Sequence, residues 1–308
     1  MDKLNLEQIL PLKPSEFFWK NINSYPVDLV SLSKEERDNC ILKILKTLED
    51  EKIIRAGRKR QNDWLKGWEE NLNNFKISND IKDLIPKYYN KFPYIRYNSE
   101  LYRVNNANAE LNSVRILINY IADIYLKNFE EIVEIGAGTC HHILELSKNL
   151  KHQPTFYALD WSESTTLIAE RLKEKNHIEF IHSFKFDFFN PNWHKEIKFP
   201  KEYKSAIYSF AALEQIGQEF QNLFNFIKNT IKPKIIIHLE PIAELLPQDQ
   251  LLSYLSTKYF YKRNYLNGYY SFLKQKEKDG EIVIHEASRM PFGSLFIEGY
   301  SLLVWSPL

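Results

Sequence analysis

A short apolar run that ends at two closely spaced glycines constrains the fold of this chain more than any other feature. Ile132-Val133-Glu134-Ile135 leads into Gly136-Ala137-Gly138, and a helical pattern begins a few residues later. A strand that passes through such a turn into a helix begins a βαβ unit, because glycine permits the tight turn and the helix offers free backbone amides. Strands and helices then alternate to about residue 240, which predicts a parallel sheet.

Seven segments in the second part of the chain are predicted to be strands. Five of them alternate with helices, at residues 131–135, 155–159, 178–186, 205–210 and 235–239. The last two, at 281–287 and 300–305, follow each other with no helix between them, which favours an antiparallel pair at one end of the sheet. The expected fold is therefore α/β, a doubly wound and mostly parallel sheet with a C-terminal antiparallel strand pair.

The first part of the chain shows mainly helical patterns. Residues 33–36 are typical of a helix start, and apolar residues between positions 40 and 48 recur with helical spacing. A basic run at 55–60 has acidic residues on both sides, so we expect a solvated helix face there. The predicted organisation is a helical N-terminal cap and substrate region over residues 1–104, followed by a ligand-binding α/β domain over residues 105–308.

Composition excludes several classes of protein. Of the 308 residues, 41 are basic and 40 acidic, and this net charge of +1 argues against a nucleic-acid partner held by a strong positive field. Cys40 and Cys140 are too few for a disulfide framework or a four-cysteine zinc site. Neither a signal-like segment nor an apolar run of about 20 residues is found, so no membrane association and a cytoplasmic location are expected.

Three acidic residues stand at the ends of three successive predicted strands. Glu134 ends the first, Asp160 closes the second and Asp187 follows the third. The carboxyl ends of parallel strands form the ligand crevice of such a sheet. Glu134 can attract a cationic amino group there, Asp160 can accept hydrogen bonds from ribose hydroxyls, and Asp187 can accept one from an adenine amine. An Asx turn is the structural alternative for Asp187.

Neighbouring residues add to this pattern. Trp161 can stack on an adenine or pack on a loop, and Phe188 can lie beside the same ring. A dinucleotide fold would place a third glycine where His141 stands, which weakens a nicotinamide-dependent reading.

The residues Glu134, Gly136, Gly138, Asp160 and Asp187 together resemble the class I S-adenosylmethionine-dependent methyltransferases. The resemblance covers about residues 105–308 and includes the terminal strand pair. It implies S-adenosyl-L-methionine as cofactor and a cofactor site formed by Glu134, Gly136, Ala137, Gly138, Asp160, Trp161, Asp187, Phe188 and Phe210. Glu134 and the glycine turn would hold the methionine part, and Phe210 would line that side through its backbone. Cys140 stands where the family usually has a third glycine.

The acceptor is less constrained than the cofactor. Methyl transfer to a hydroxyl requires a base, and Glu214 after the fourth strand and His238 on the fifth are the candidate catalytic residues. No acidic residue precedes Glu214 at the end of the fourth strand, so no metal is expected. Tyrosines and arginines between positions 88 and 103 suit a polar small molecule. We therefore expect O-methylation of a small polar metabolite.

Three alternatives stay open. The chain can be an N-methyltransferase for a peptide or protein, a nicotinamide-dependent oxidoreductase, or a non-catalytic partner that keeps the fold. The sequence makes no prediction of the oligomeric state.

Overall fold

Two sheets organise the part of the chain that the computed structural model describes, residues 5–191 and 202–308. The helices are α1 (Leu6–Ile9), α2 (Glu16–Ile22), α3 (Lys34–Glu49), α4 (Gln61–Ser78), α5 (Ala109–Ile121), α6 (His141–Ser147), α7 (Glu163–Asn176), α8 (Gln221–Phe226), α9 (Leu251–Arg263) and α10 (Tyr269–Lys278). The strands are β1 (Leu29–Ser31), β2 (Tyr94–Tyr97), β3 (Glu100–Val104), β4 (Glu131–Ile135), β5 (Thr155–Asp160), β6 (Ile181–Lys185), β7 (Ser205–Phe210), β8 (Ile235–Glu240), β9 (Ile282–Arg289), β10 (Phe292–Gly293) and β11 (Ser301–Pro307).

The larger sheet has the strand order β6-β5-β4-β7-β8-β11-β9. Strands β4 to β8 pair in parallel, and β11 is inserted between β8 and β9 and is antiparallel to both. The predicted fold, with its C-terminal antiparallel pair, is thus confirmed. Because the chain runs outward from β4 to β6 and then returns to β7 on the other side, the sheet has a switch point between β4 and β7.

Alternate residues of the parallel strands face two different apolar clusters, one on each side of the sheet. Ile132, Phe156 and Ala206 belong to the cluster that includes the N-terminal region, whereas Val133 and Ile207 belong to the opposite one. This period of two follows from the pleat of a strand. It puts Glu134 on the same face as Ile132.

The third parallel strand is shorter than predicted. It begins at Ile181 rather than at 178, because α7 ends at His177 with a left-handed φ of +56°. The amide of Ile178 then donates to the carbonyl of Leu172, which closes the helix C-terminus before the strand can begin.

The N-terminal region contains a sheet as well as helices, and this sheet was not part of the expected helical cap. The smaller sheet is antiparallel in the order β1-β3-β2-β10. Its central hairpin turns at Asn98 and Ser99, whose φ angles are +47° and +71°. Two consecutive positive φ angles are the geometry of a tight β-hairpin, and an Asn at its first position is a recognisable signal. Strand β10 comes from the C-terminal part of the chain.

The predicted boundary at residue 104 crosses a continuous apolar core. Phe75 and Ile95 from the N-terminal region belong to the same buried cluster as Ile132 and Leu302 of the larger sheet. The N-terminal region is therefore packed against the sheet domain through a shared apolar cluster. The division at 104 and 105 stays a prediction.

Candidate active site

A cavity of about 820 Å³ lies beyond the carboxyl ends of β4, β5 and β7. This volume includes space that is open to solvent, and the location is the switch point of the sheet. Eight of the predicted site residues line the cavity: Gly136, Ala137, Gly138, Asp160, Trp161, Asp187, Phe188 and Phe210. We call Gly136, Ala137, Gly138, Asp160 and Asp187 the sheet wall.

The glycine loop of the sheet wall has no room for side chains. Gly136 and Gly138 have φ angles of +82° and +50°. A Cβ at Gly136 would lie 2.3 Å from the Cβ of Ala212, and a Cβ at Gly138 would lie 2.9 Å from Trp68 Cζ2. Cys140 also has a positive φ, +60°, so this residue takes the backbone conformation of the glycine that the family usually has there. A left-handed non-glycine residue costs about 1–2 kcal/mol.

Asp160 connects the glycine loop to the end of β5. One carboxylate oxygen accepts from the amide of Gly138 at 2.8 Å, and the other accepts from the amide of Ser162 at 2.9 Å. Burial raises the pKa of Asp160 to about 6. The carboxylate is therefore ionised at neutral pH, and each oxygen keeps a lone pair for a hydroxyl donor.

Asp187 forms the predicted Asx turn, and its contact with an adenine amine stays a prediction. Its Oδ1 accepts from the amide of Phe189 at 2.9 Å, which is an Asx turn, and the residue also lines the cavity. The turn brings the ring of Phe188 over the glycine loop, where Phe188 Cζ would lie 3.5 Å from a Cβ at Gly136.

Glu134 is not on the cavity wall. It is fully buried, and its Oε1 lies 3.0 Å from Nδ1 of His142. The other ring nitrogen of His142 lies 3.0 Å from the hydroxyl of Tyr89. Because Glu134 shares the strand face that packs against α6, the imidazole of His142 stands between this carboxylate and the cavity. The predicted contact of Glu134 with a ligand ammonium therefore requires His142 to move.

His238 is also outside the cavity. It is fully buried on β8, its Nδ1 is 2.9 Å from Ser209 Oγ, and its Nε2 is 3.0 Å from Tyr269 Oη and 3.1 Å from Trp305 Nε1. Burial lowers the pKa of His238 to about 3. The structure therefore gives this histidine hydrogen-bonding partners in the core and does not bring it to the site where a base would act.

Glu214 lies directly behind the cavity wall. Its Oε1 accepts from Nε2 of Gln215 at 2.6 Å, and Gln215 lines the cavity, whereas Oε2 is buried without a hydrogen-bond partner. Burial and the neighbouring charge of Glu240 raise the pKa of Glu214 to about 8. Glu240 accepts from the amides of Ala212, Leu213 and Glu214 and so fixes the turn after β7.

The opposite wall comes from the N-terminal region, which was predicted to be the substrate region, but Arg60, Trp64 and Trp68 were not among the predicted residues. We call Arg60, Trp64, Trp68 and Tyr88 the helix wall, since the first three lie at the start of α4 or within it. Trp64 and Trp68 are one helical turn apart, with ring centroids 5.5 Å from each other. The clustering of aromatic residues from Trp64 onward is the signal in the sequence that could have indicated this wall.

Two further predictions about this region need correction. The basic run at 55–60 is not only a solvated face, because Arg60 turns into the cavity. Within the tyrosine and arginine stretch that was expected to bind the acceptor, Tyr88 lines the cavity, but Arg96 is fully buried and pairs with Glu298 at 2.9 Å. Arg96 instead connects the small sheet to the C-terminal segment.

Across residues 5–191 and 202–308 there is no group of three or more His, Cys, Asp or Glu side chains that could hold a metal ion. Metal independence stays a prediction. No helix in this described part of the chain is long and apolar enough to span a bilayer.

No family model and no curated protein sequence matches the chain. Among solved structures it is similar to the methyltransferase domain of bacterial CtHen1-C, with 14% identity and a TM-score of 0.44 over 64% of this chain and 95% of that chain. It is similar to TrmK of M. capricolum in complex with S-adenosyl-homocysteine (16%, 0.38, 61% and 66%). A putative O-methyltransferase from Klebsiella pneumoniae is a further match (10%, 0.37, 63% and 78%). A likeness at these identities concerns the fold alone.

Proposed function

We propose that the chain is an S-adenosylmethionine-dependent methyltransferase that methylates an oxygen atom of a small polar metabolite without a metal. One observation carries the proposal. The glycine loop, Asp160 and the Asp187–Phe188 pair follow three successive strands of the doubly wound sheet, and all of them line one cavity.

The cavity suits an adenosine. Asp160 offers an ionised carboxylate to the two ribose hydroxyls, and Phe188 and Trp161 offer ring faces to the adenine. Gly136 and Gly138 line the cavity without side chains, so a ligand can approach the loop backbone closely. A dinucleotide is disfavoured by His141, which stands where its turn requires a third glycine.

The amino-acid arm of the cofactor requires a polar partner at the other end of the cavity. His141 lines the cavity there, and its Nε2 is buried without a hydrogen-bond partner. Burial holds the pKa of His141 well below its usual value, so a neutral imidazole is available to donate to the carboxylate of the arm.

The bound cofactor supplies a methyl group on a sulfonium, so the protein aligns the acceptor oxygen and excludes water. The helix wall covers the glycine loop with indole rings, which removes water from the reacting centre. Glu214 is our candidate for the base, because its Oε1 accepts from Gln215, which lines the cavity; with a pKa of about 8, only its minor ionised form accepts a proton at neutral pH. His238, with both ring nitrogens engaged in the core, is not assigned a role in proton transfer.

Isothermal titration with S-adenosylhomocysteine and with NAD⁺ tests the cofactor. We expect S-adenosylhomocysteine to bind and NAD⁺ to give no heat. The opposite pattern would reject the methyltransferase and support the oxidoreductase.

A panel of hydroxyl acceptors with labelled S-adenosylmethionine then tests for transfer. Binding of the cofactor without transfer to any member, or to added peptides, would support the non-catalytic alternative.

A further inference from the structure

We infer that the methyl acceptor carries an anionic group, a carboxylate or a phosphate, and that Arg60 binds this group at the helix wall. The inference rests on the proposed function and adds to it the charge class of the substrate.

The guanidinium of Arg60 is held in the cavity wall with unused donors. Its Nη1 donates to Oε1 of Gln215 at 3.0 Å, and the same oxygen accepts from Nε1 of Trp64 at 3.2 Å. The guanidinium carbon lies 5.1 Å from the ring centroid of Trp64. Its Nε is buried and has no hydrogen-bond partner in the described structure. These contacts fix the direction of the side chain and leave a buried donor without an acceptor.

Arg60 differs from its neighbours in the basic run. Arg58 lies 3.6 Å from a carboxylate oxygen of Glu219 and stacks over Phe189, and Lys59 is exposed to solvent. By contrast, Arg60 forms no ion pair with any residue in the ranges 5–191 and 202–308. A permanent charge in a partly buried wall is costly unless a counter-charge is near, so this position favours an anionic ligand.

The nearest buried carboxyl does not supply that counter-charge. Glu214 is attracted to both Arg60 and Arg263, but burial and Glu240 keep the pKa of Glu214 at about 8, so it is mainly protonated at neutral pH. The guanidinium of Arg263 adds positive charge to the same neighbourhood, because its charge acts on Glu214 together with that of Arg60, and its Nε donates to Tyr265. Two guanidinium groups therefore lie around a carboxyl that is neutral.

The anion is assigned to the acceptor rather than to the cofactor for two reasons. The carboxylate of the cofactor arm has a donor in His141, on the glycine-loop side of the cavity. Arg60 instead contacts Gln215, which follows the turn after β7 and is adjacent to the candidate base Glu214. The helix wall covers the cavity, so the occupant we infer is a small anionic metabolite.

The experiment uses the full chain, the variant Arg60→Gln and the matched control Lys59→Gln. Calorimetry measures the affinity for S-adenosylhomocysteine and for 5′-methylthioadenosine, which lacks the amino-acid arm.

The S-adenosylhomocysteine complex is then titrated with inorganic phosphate and with malonate. We expect one or both anions to bind the wild type and Lys59→Gln, and to bind Arg60→Gln about tenfold or more weakly, because a charge-assisted hydrogen bond is lost. Both nucleoside affinities should be unchanged.

Four outcomes would overturn the inference. The first is that neither anion binds the wild-type complex. The second is that Arg60→Gln and Lys59→Gln bind anions equally well. The third is that Arg60→Gln lowers the affinity for S-adenosylhomocysteine but not for 5′-methylthioadenosine, which would mean that Arg60 binds the amino-acid arm of the cofactor. The fourth is that a short single-stranded RNA binds the complex through Arg60 more tightly than inorganic phosphate does, which would mean that the acceptor is not a small molecule. If S-adenosylhomocysteine does not bind the wild type at all, the proposed function fails first and this inference fails with it.

Discussion

The two walls of the cavity are built from different kinds of interaction. The sheet wall is held by its backbone: the amide of Gly136 donates to the carbonyl of Leu159 at 2.8 Å, and the amide of Gly138 donates to Asp160. The helix wall is held by side-chain packing, with Trp64 ring centroids 5.5 Å from Trp68 and 6.0 Å from Tyr88. Backbone hydrogen bonds at strand ends define one geometry, whereas packed side chains on a helix can be exchanged without changing the fold.

This difference predicts which of the two ligands, cofactor or acceptor, each wall contacts. A ligand that is always the same, such as a cofactor, suits a wall that the sheet determines. An acceptor that differs from one protein to the next suits a wall contributed by a separate helix. Substitutions in the sheet wall should therefore change cofactor affinity most, and substitutions away from both walls should change it least.

Gly136→Ala should have the largest effect on the affinity for S-adenosylhomocysteine. The added Cβ would lie 2.3 Å from the Cβ of Ala212, at a φ of +82°. Overpacking and a left-handed non-glycine residue together cost about 2–5 kcal/mol of folding stability. The loop must shift to relieve the clash, so we expect calorimetry to show a loss of affinity of about tenfold or more, or about 1.4 kcal/mol.

Gly280→Ala is the matched control for this change. Gly280 has a φ of +73°, but a Cβ there would meet nothing within 4 Å. Gly280→Ala therefore introduces the same kind of backbone strain as Gly136→Ala but no steric clash, so the affinity for the cofactor should stay at the wild-type value. Equal losses in both variants would mean that the glycine loop is not a ligand contact.

Asp160→Asn should have the next largest effect. The change removes a charged acceptor for the ribose hydroxyls, which corresponds to about 1–3 kcal/mol, or roughly fivefold to a hundredfold in affinity. Since the pKa of Asp160 is about 6, wild-type affinity should also decrease as the pH falls through that value. Titration of both proteins across this range measures the effect.

The control variant is Asp279→Asn, at an exposed carboxyl. It should retain the wild-type affinity for S-adenosylhomocysteine and the wild-type pH dependence of that affinity. A pH profile that is the same in Asp160→Asn as in the wild type would remove Asp160 from the ribose site.

Most of the sheet and the sheet wall could be predicted because they depend on local sequence. The predicted bounds of β4 and β7, 131–135 and 205–210, agree with the structure. An apolar run followed by Gly-x-Gly determines where a ligand approaches, and an acidic residue at a strand end lies at the same edge of the sheet whatever packs around it. Eight of the nine predicted cofactor residues accordingly line the cavity, although their contacts with a ligand stay a prediction.

The remaining features depend on contacts between distant parts of the chain. Nothing near Glu134 in sequence indicates that His142 and Tyr89 cover it. The direction of Arg60 is decided by Gln215, more than 150 positions away. His238 interrupts an apolar strand, which is a genuine signal of a polar partner, but the partners are Tyr269 and Trp305 in the core.

Glu214→Gln should leave cofactor affinity nearly unchanged and alter the pH dependence of stability. The folded-state pKa of about 8 is above the ordinary value of 4.5, so the unfolded chain releases this proton first. The free energy of unfolding therefore decreases as the pH rises from about 4.5 to about 8. The variant lacks this contribution and should lose less stability over that range.

Urea unfolding at about pH 5 and about pH 8.5 measures this difference. Glu240, with a pKa raised to about 7, titrates in the same range and is coupled to Glu214, so the slope belongs to the pair. Glu170→Gln, at an exposed carboxyl of α7, should behave like the wild type. If Glu214→Gln shows the full wild-type slope, the pKa of Glu214 is not raised in the folded chain.

His238→Phe should have the smallest effect on the cofactor, because this side chain is in neither wall. The apolar ring leaves Ser209, Tyr269 and Trp305 without their shared partner, so the free energy of unfolding should fall by about 1–3 kcal/mol. His182→Phe, at an exposed position on β6, is the control for replacing an imidazole by a phenyl ring. It should change neither the cofactor affinity nor the free energy of unfolding. A variant at 238 with wild-type stability but reduced methyl transfer would return His238 to the site as the base and would displace Glu214 from that role.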